Sequence, residues 1–264
     1  MNPLIAVDVG NSRVKLGWYE GALASAYSEP VATLQLAIDP WNPQLLASWL
    51  NALRDSCSTG SPIWLIASVN RAVTTRVIAW AHDYDAGARV AELVVDDLPL
   101  TVALASPGRV GMDRLLAAVA VNRLRSAARP AIIVDVGSAV TVDVVSDRGD
   151  FVGGAIFPGF RMSARALAEQ TDRLPHLAVD RLNVPPPPLG TSTESAIRAG
   201  LFWGTIGALR ELVGQLSAGL PTMPQLFLTG GAADPVARLL GEETRHVANL
   251  VLGGIALTHA SIRP

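Results

Sequence analysis

Leu4-Ile5-Ala6-Val7-Asp8-Val9-Gly10-Asn11-Ser12 returns, 127 residues later, as Ala131-Ile132-Ile133-Val134-Asp135-Val136-Gly137-Ser138-Ala139. Each copy is an apolar run ending in an aspartate and a glycine turn. A second alternating run follows, Val14, Leu16 and Trp18 in the first copy and Val140, Val142 and Val144 in the second. Alternation of period two on both sides of a glycine turn predicts an antiparallel hairpin. The offset is close to half of the 264 residues. The pair therefore predicts an internal duplication, with two similar α/β halves at 1–112 and 113–264.

Outward from the hairpins, strand and helix signals alternate. The first half predicts a helix over Leu34–Leu53 interrupted by Pro40 and Pro43, a strand at Ile63–Val69, a helix at Val73–His82 and a strand at Glu92–Val95. A helix over Asp113–Arg129 is expected to stop at Pro130, which has no N–H to continue it. The second half predicts a strand at Asp150–Ile156, a proline-rich loop at Pro185–Pro188 and a helix over Thr193–Leu216. A strand at Gln225–Leu228 then runs into Thr229-Gly230-Gly231, and a last helix begins near Asn249.

Composition narrows the function classes. Half of the residues are hydrophobic, 17% are charged and the net charge is −2, so there is material for a large core and no broad basic field for nucleic acid or anionic membrane. No window approaches 18 uninterrupted apolar residues, and Asp8 interrupts the early apolar run, so neither a membrane span nor a signal peptide is expected. Cys57 stands alone and excludes an internal disulfide. The expected compartment is the cytoplasm. His82, His176, His246 and His259 lack metal-ligand spacing and are expected at the surface or at helix ends, and the six tryptophans lack basic interleaving, so core or rim packing is expected for them. Of the 21 basic residues 20 are arginine, and the single lysine, Lys15, falls inside the first hairpin.

That placement singles out Asp8-Val9-Gly10-Asn11-Ser12-Arg13-Val14-Lys15. A glycine turn brings backbone N–H groups to phosphate oxygens, a strand-end carboxylate holds Mg²⁺ through water, and a lysine adds a point charge. An ordinary Asn-Gly hairpin is the bland alternative. The second copy offers Asp135, Gly137, Ser138, Thr141 and Asp143, so a cleft between the halves is expected to hold the ligand. No P-loop and no G-x-G-x-x-G fingerprint occurs, which leaves hairpins, with Gly230-Gly231, to hold a nucleotide. Asp113, in Gly111-Met112-Asp113-Arg114, is a candidate base that orients a hydroxyl and takes its proton, with Arg114 for an anionic group. A helix N-cap with a solvated arginine is the alternative. Gly200, Gly204 and Gly207 form a small-residue stripe for close helix packing, with a dimer favoured.

Taken in order, DVGNSRVK at 8–15, GMDR at 111–114, VDVGSAVTVD at 134–143, GGAIFPG at 153–159, TESAIRAG at 193–200 and LTGG at 228–231 resemble type III pantothenate kinase, also called the Bvg accessory factor family. The resemblance spans about residues 4–256. It implies a duplicated actin-like, ribonuclease H-like two-domain ATPase fold and a homodimer. The implied reaction is ATP-dependent phosphorylation of pantothenate to 4′-phosphopantothenate, the entry to coenzyme A, with Mg²⁺ and a monovalent cation, K⁺ or NH₄⁺. Carried over, Asp8 to Lys15 bind ATP phosphates, with Asp8 on Mg²⁺ through water. Ser138 contacts ATP, and Asp135 binds the monovalent cation. Asp113 accepts the proton, and Gly111, Met112, Arg114 and Thr193 shape the pantothenate site beside a backbone wall at Gly153-Gly154 and Pro158-Gly159. Two residues depart from the pattern: Ser138 replaces the usual threonine, and Leu104 replaces an aromatic, commonly tyrosine. The alternatives are a non-catalytic nucleotide-binding accessory or regulatory protein, and an actin-fold kinase for another small alcohol.

Overall fold

The computed structural model describes residues 2–20, 26–56, 60–179 and 184–262, which leaves Cys57 outside the described residues. The chain divides into two compact units, Met1–Leu124 with Asn249–Pro264, and Arg125–Ala248. The expected boundary at 112/113 falls at the start of a helix, whereas the units part at its end.

The first unit carries β1 (Leu4–Val9), β2 (Arg13–Tyr19), β3 (Ala32–Ala37), β4 (Ile63–Ser68) and β5 (Arg89–Glu92) in the order β3-β2-β1-β4-β5. The first three strands are antiparallel; β4 lies parallel to β1 and β5 parallel to β4. The second unit carries β6 (Ala131–Val136), β7 (Ala139–Val145), β8 (Phe151–Pro158), β9 (Gln225–Thr229) and β10 (Arg245–His246) in the order β8-β7-β6-β9-β10. Its pairing senses are the same as in the first sheet. The duplication read from two nine-residue segments is therefore a duplication of whole sheets.

Helices α1 (Pro43–Ser56), α2 (Arg71–Tyr84), α3 (Met112–Leu124) and α7 (Leu250–Ile262) belong to the first unit, and α4 (Phe160–Glu169), α5 (Thr193–Ala218) and α6 (Asp234–Leu240) to the second. Strand alternation decides what each sheet face meets. Ile5, Val7, Val9, Val14, Leu16 and Trp18 pack with Leu46 and Leu50 of α1 and Val73 and Val77 of α2. Leu4, Ala6 and Asp8, with Lys15, Gly17 and Tyr19 across the hairpin, turn the other way. That face receives α7: a Cβ on Gly17 would stand 3.2 Å from Leu252 Cδ1. In the second unit Val134, Val136, Val140 and Val142 pack with Phe160 of α4 and Phe202 and Ile206 of α5. Each such side chain contributes about 1.5–3 kcal/mol on burial.

Three expectations need correction. Ala32–Ala37 is a strand, not the start of a helix, because Leu34 and Leu36 alternate with the more exposed Thr33 and Gln35 and pair with β2. The helix begins only at Pro43, a residue that suits a first helical position. The strand expected at Glu92–Val95 ends at Glu92, and Val95–Asp97 is a 3₁₀ turn in which Asp97 accepts the Val94 N–H at 2.8 Å. The helix expected to reach Arg129 stops at Leu124; the Ser126 N–H donates to the Gln225 side chain and Ala128 has φ 60°. Helices α4 and α6 and strand β10 were not foreseen.

The Tyr19 hydroxyl is buried with no hydrogen-bond partner among the described residues. Burial, then Tyr27 and Glu29, pushes its pKa above the ordinary tyrosine range. The folded state keeps the proton while an unfolded tyrosine ionises near pH 10, so stability is full below about pH 10 and falls as pH rises further. Tyr19→Phe is expected to stabilise the protein by about 1 kcal/mol at neutral pH and to flatten that alkaline loss. Urea unfolding at pH 7 and pH 10.5 checks both; equal midpoints for variant and wild type would refute them.

Candidate functional site

The carboxyl end of β1 is the centre of the first unit's site. Asp8 is its penultimate residue, only 8% exposed, and sits opposite Lys15 in the hairpin register, so the carboxylate and the lone ammonium share the α7-covered face. Val9 and Val14 close the ladder, and Gly10, Asn11, Ser12 and Arg13 make the turn, with the Gly10 N–H donating to the Arg13 carbonyl at 3.0 Å. Asn11, Ser12 and Arg13 are exposed; the Arg13 guanidinium reaches the Gln35 side chain at 3.4 Å. The turn thus presents polar groups at the end of a buried strand, as a phosphate-holding hairpin requires.

β4 ends beside β1: Val9 pairs with Ser68, and the Val69 N–H donates to the Val9 carbonyl at 3.0 Å. The loop before α3 comes to the same place, since a Cβ on Gly111 would stand 3.7 Å from Val69 Cγ1. That Cβ would also lie 2.5 Å from Asp113 Oδ1, so only glycine leaves the carboxylate where it is. Asp113 Oδ1 accepts the Arg114 N–H at 2.9 Å in the first turn of α3. Met112 is buried, and Gly111 and Arg114 are half-buried. Leu104 is half-buried in the preceding loop. Ser68 and Val69, which the fold brings to the same strand end, were not singled out from the sequence, since a serine and a valine closing a strand carry no local signal.

In the second unit the equivalent hairpin is one residue shorter. Four residues, 10–13, close the first turn, and three, 137–139, close the second, where the Gly137 N–H donates to the Ala139 carbonyl at 3.0 Å. Asp135 therefore stands opposite Thr141, not a lysine. Asp135 is half-buried; a Cβ on Gly137 would stand 3.3 Å from its Oδ1. Gly230, with φ +103°, brings the turn after β9 so close that a Cβ would overlap Asp135 Oδ1 and meet Val136 N at 2.6 Å. Ser138 is exposed at the turn, and Gly159, its N–H donating to the Ser138 carbonyl at 3.1 Å, packs beneath it. Asp143 is only 1% exposed, a buried strand residue facing Gly154. Thr193 is exposed at the start of α5, whose N-cap Ser192 exchanges hydrogen bonds with Ser195.

Among the described residues no three His, Cys, Asp or Glu side chains form a metal cage. Mg²⁺ in general needs no such cage where one carboxylate and substrate phosphates supply its oxygens. Asp8 at the strand end fits that donor set. The Asp135 carboxylate with the tight Gly137 and Gly230 backbone offers the oxygen ligands suited to a hard monovalent ion.

Two solved structures share the fold. A Sinorhizobium meliloti protein named as a 2-dehydro-3-deoxygalactonokinase aligns with TM-score 0.55 at 16% identity over 99% of both chains. A Listeria monocytogenes protein named as an N-acetylmannosamine kinase aligns with TM-score 0.50 at 13% identity, over 99% of this chain and 100% of that one. With the repeated strand order, the class is a duplicated, two-domain actin-like α/β fold.

Within that class the chain belongs to the type III pantothenate kinase family, whose profile matches residues 4–215. The Anaeromyxobacter dehalogenans (strain 2CP-C) type III pantothenate kinase is 31% identical over 97% of this chain and 98% of its own. That of Paramagnetospirillum magneticum is 33% identical over 97% and 96%. The Alkalilimnicola ehrlichii protein of the same name reaches 42% over 56% and 57%.

Proposed function

We propose that this protein transfers the γ-phosphoryl group of ATP to the 4′-hydroxyl of pantothenate, giving 4′-phosphopantothenate and ADP at the entry to coenzyme A synthesis. The observation that carries the reading is Asp113, fixed at the N-terminal turn of α3 beside the strand ends that bear Asp8 and Val9, in a chain that matches the family over nearly its whole length.

In this mechanism the bond between the γ-phosphorus and the β,γ-bridging oxygen breaks as a bond to the 4′-oxygen forms. Asp113 orients the hydroxyl and takes its proton. The hairpin amides from Val9 to Val14 and the Lys15 ammonium hold the phosphate oxygens in line, so catalysis is positioning plus charge neutralisation. Asp8 would hold Mg²⁺ through water beside the ATP phosphates, where the ion would supply further positive charge. Arg114 holds an anionic or polar group of pantothenate, with Gly111 and Met112 beside it in the chain, and Thr193 is a further residue proposed to contact pantothenate. Ser138 contacts ATP, and Asp135 would hold the monovalent cation, K⁺ or NH₄⁺. The protein works in the cytoplasm as a homodimer, for which the exposed Gly200, Gly204 and Gly207 of α5 offer a face open to close packing. Among the described residues no helix is long and apolar enough to cross a membrane.

A coupled ADP-release assay with ATP, Mg²⁺ and K⁺ tests the reading. ADP formation is expected to depend on pantothenate, with the phosphorylated product seen by mass. Nucleotide binding without turnover would point instead to an accessory protein, the reading that Leu104 favours. Turnover with a different small alcohol alone would relocate the substrate.

A further inference from the structure

We infer that Val69 is the residue that recognises the dimethyl-bearing carbon of pantothenate, which makes it a specificity determinant of the site proposed above, on whose reading this rests. Val69 is a large aliphatic residue left 36% exposed at the end of a buried strand, outside the apolar cluster beneath the sheet. Its backbone is pinned by the 3.0 Å hydrogen bond to Val9, one residue beyond Asp8. Its neighbours are occupied with local structure. Ser68 Oγ accepts from the Asn70 N–H at 2.9 Å and from Thr74 Oγ1 at 2.5 Å, and Asn70 caps α2 through the Val73 N–H.

The position relative to Asp113 carries the inference. Val69 Cγ1 and Asp113 Oδ1 lie 3.7 Å and 2.5 Å from the same point, the Cβ that Gly111 lacks. The methyl and the carboxylate oxygen are thus no more than about 6 Å apart. In pantothenate the phosphoryl-accepting hydroxymethyl group is bonded directly to the carbon that carries two methyl groups. A hydroxyl held by Asp113 on the Val69 side of its carboxylate would bring those methyls within reach of the exposed Val69 side chain, at the 4.0–4.5 Å or so of apolar contact. The same geometry leaves a substrate without the methyls facing an empty step.

The test compares kcat/KM for pantothenate and for N-(2,4-dihydroxybutanoyl)-β-alanine, which lacks both methyl groups, in wild type, Val69→Ala and Val69→Ile. Wild type is expected to prefer pantothenate. Val69→Ala should cut that preference by about 10-fold, through the KM for pantothenate, with the KM for ATP unchanged, and Val69→Ile should retain it. A merely structural role would lower turnover of both substrates alike, and an unchanged preference in Val69→Ala would overturn the inference while the kinase reading stands. Wild type that turns over neither compound would overturn both together.

Discussion

Asp113→Asn is expected to lower kcat by about 10²–10⁴-fold while ATP binding stays within roughly twofold of wild type. Asparagine has the same shape, and its side-chain oxygen still accepts the Arg114 N–H that Asp113 Oδ1 accepts at 2.9 Å. What disappears is the capacity to take a proton. The charge also sits in the first turn of α3, where a carboxylate favours the helix by only about 0.3–1 kcal/mol, so the variant should remain folded. Activity and stability therefore separate: single-turnover kinetics should collapse while the melting curve barely moves. Near-normal turnover would remove Asp113 from the proton-accepting role, and lost activity with lost nucleotide binding would mean that the substitution disturbed the site at large.

The second large effect is one of packing. Gly254→Ala is expected to cost about 3 kcal/mol, because a Cβ there would overlap the Leu116 carbonyl oxygen and stand 2.7 Å from its carbon and 3.1 Å from Leu116 Cα. Those are backbone atoms inside α3, so no side-chain rotation relieves the clash, and α3 and α7 must separate. Leu250 to Thr258 of α7 are all buried, so separation opens apolar surface along most of the helix. For a chain of this length the melting temperature should fall by about 6–12 °C. Asp113 is carried at the start of α3, so kcat should fall too, since catalysis by positioning tolerates little displacement. Gly214→Ala, outside the Gly200, Gly204 and Gly207 face of α5, is the control. Nothing lies within 4 Å of a Cβ at that position, and the exchange there should be neutral or stabilising by up to about 1 kcal/mol. Equal melting temperatures for Gly254→Ala and wild type in calorimetry would show that α3 and α7 accommodate the methyl.

Much of the first unit's candidate site was legible in residue order because it is local. The Asp8 hairpin depends on alternation and a glycine turn within sixteen residues, and Lys15 stands out in a chain whose other basic residues are all arginine. The missing length in the second hairpin was not legible. Asp135 was aligned by its own motif, and only the register put Thr141, not a basic residue, across from it. Asp143, offered as a candidate carboxylate by the same motif, is a buried strand residue, and that was not legible for a related reason: alternation gives the face but not what covers it.

By itself the sequence determined the hairpins, the duplication, α2 and α5, and the family motifs, all of which rest on propensities and spacings within a few turns of chain. The tertiary structure alone decided that Ala32–Ala37 adds to β2 as a third strand, that α3 ends at Leu124, and that the last helix returns to the first unit. It also decided that Val69 stands beside Gly111 and that Gly254 rests on Leu116. The reason is physical: these are contacts between segments tens to more than a hundred residues apart, and a few ångströms of close approach leave no periodicity in either segment that makes them.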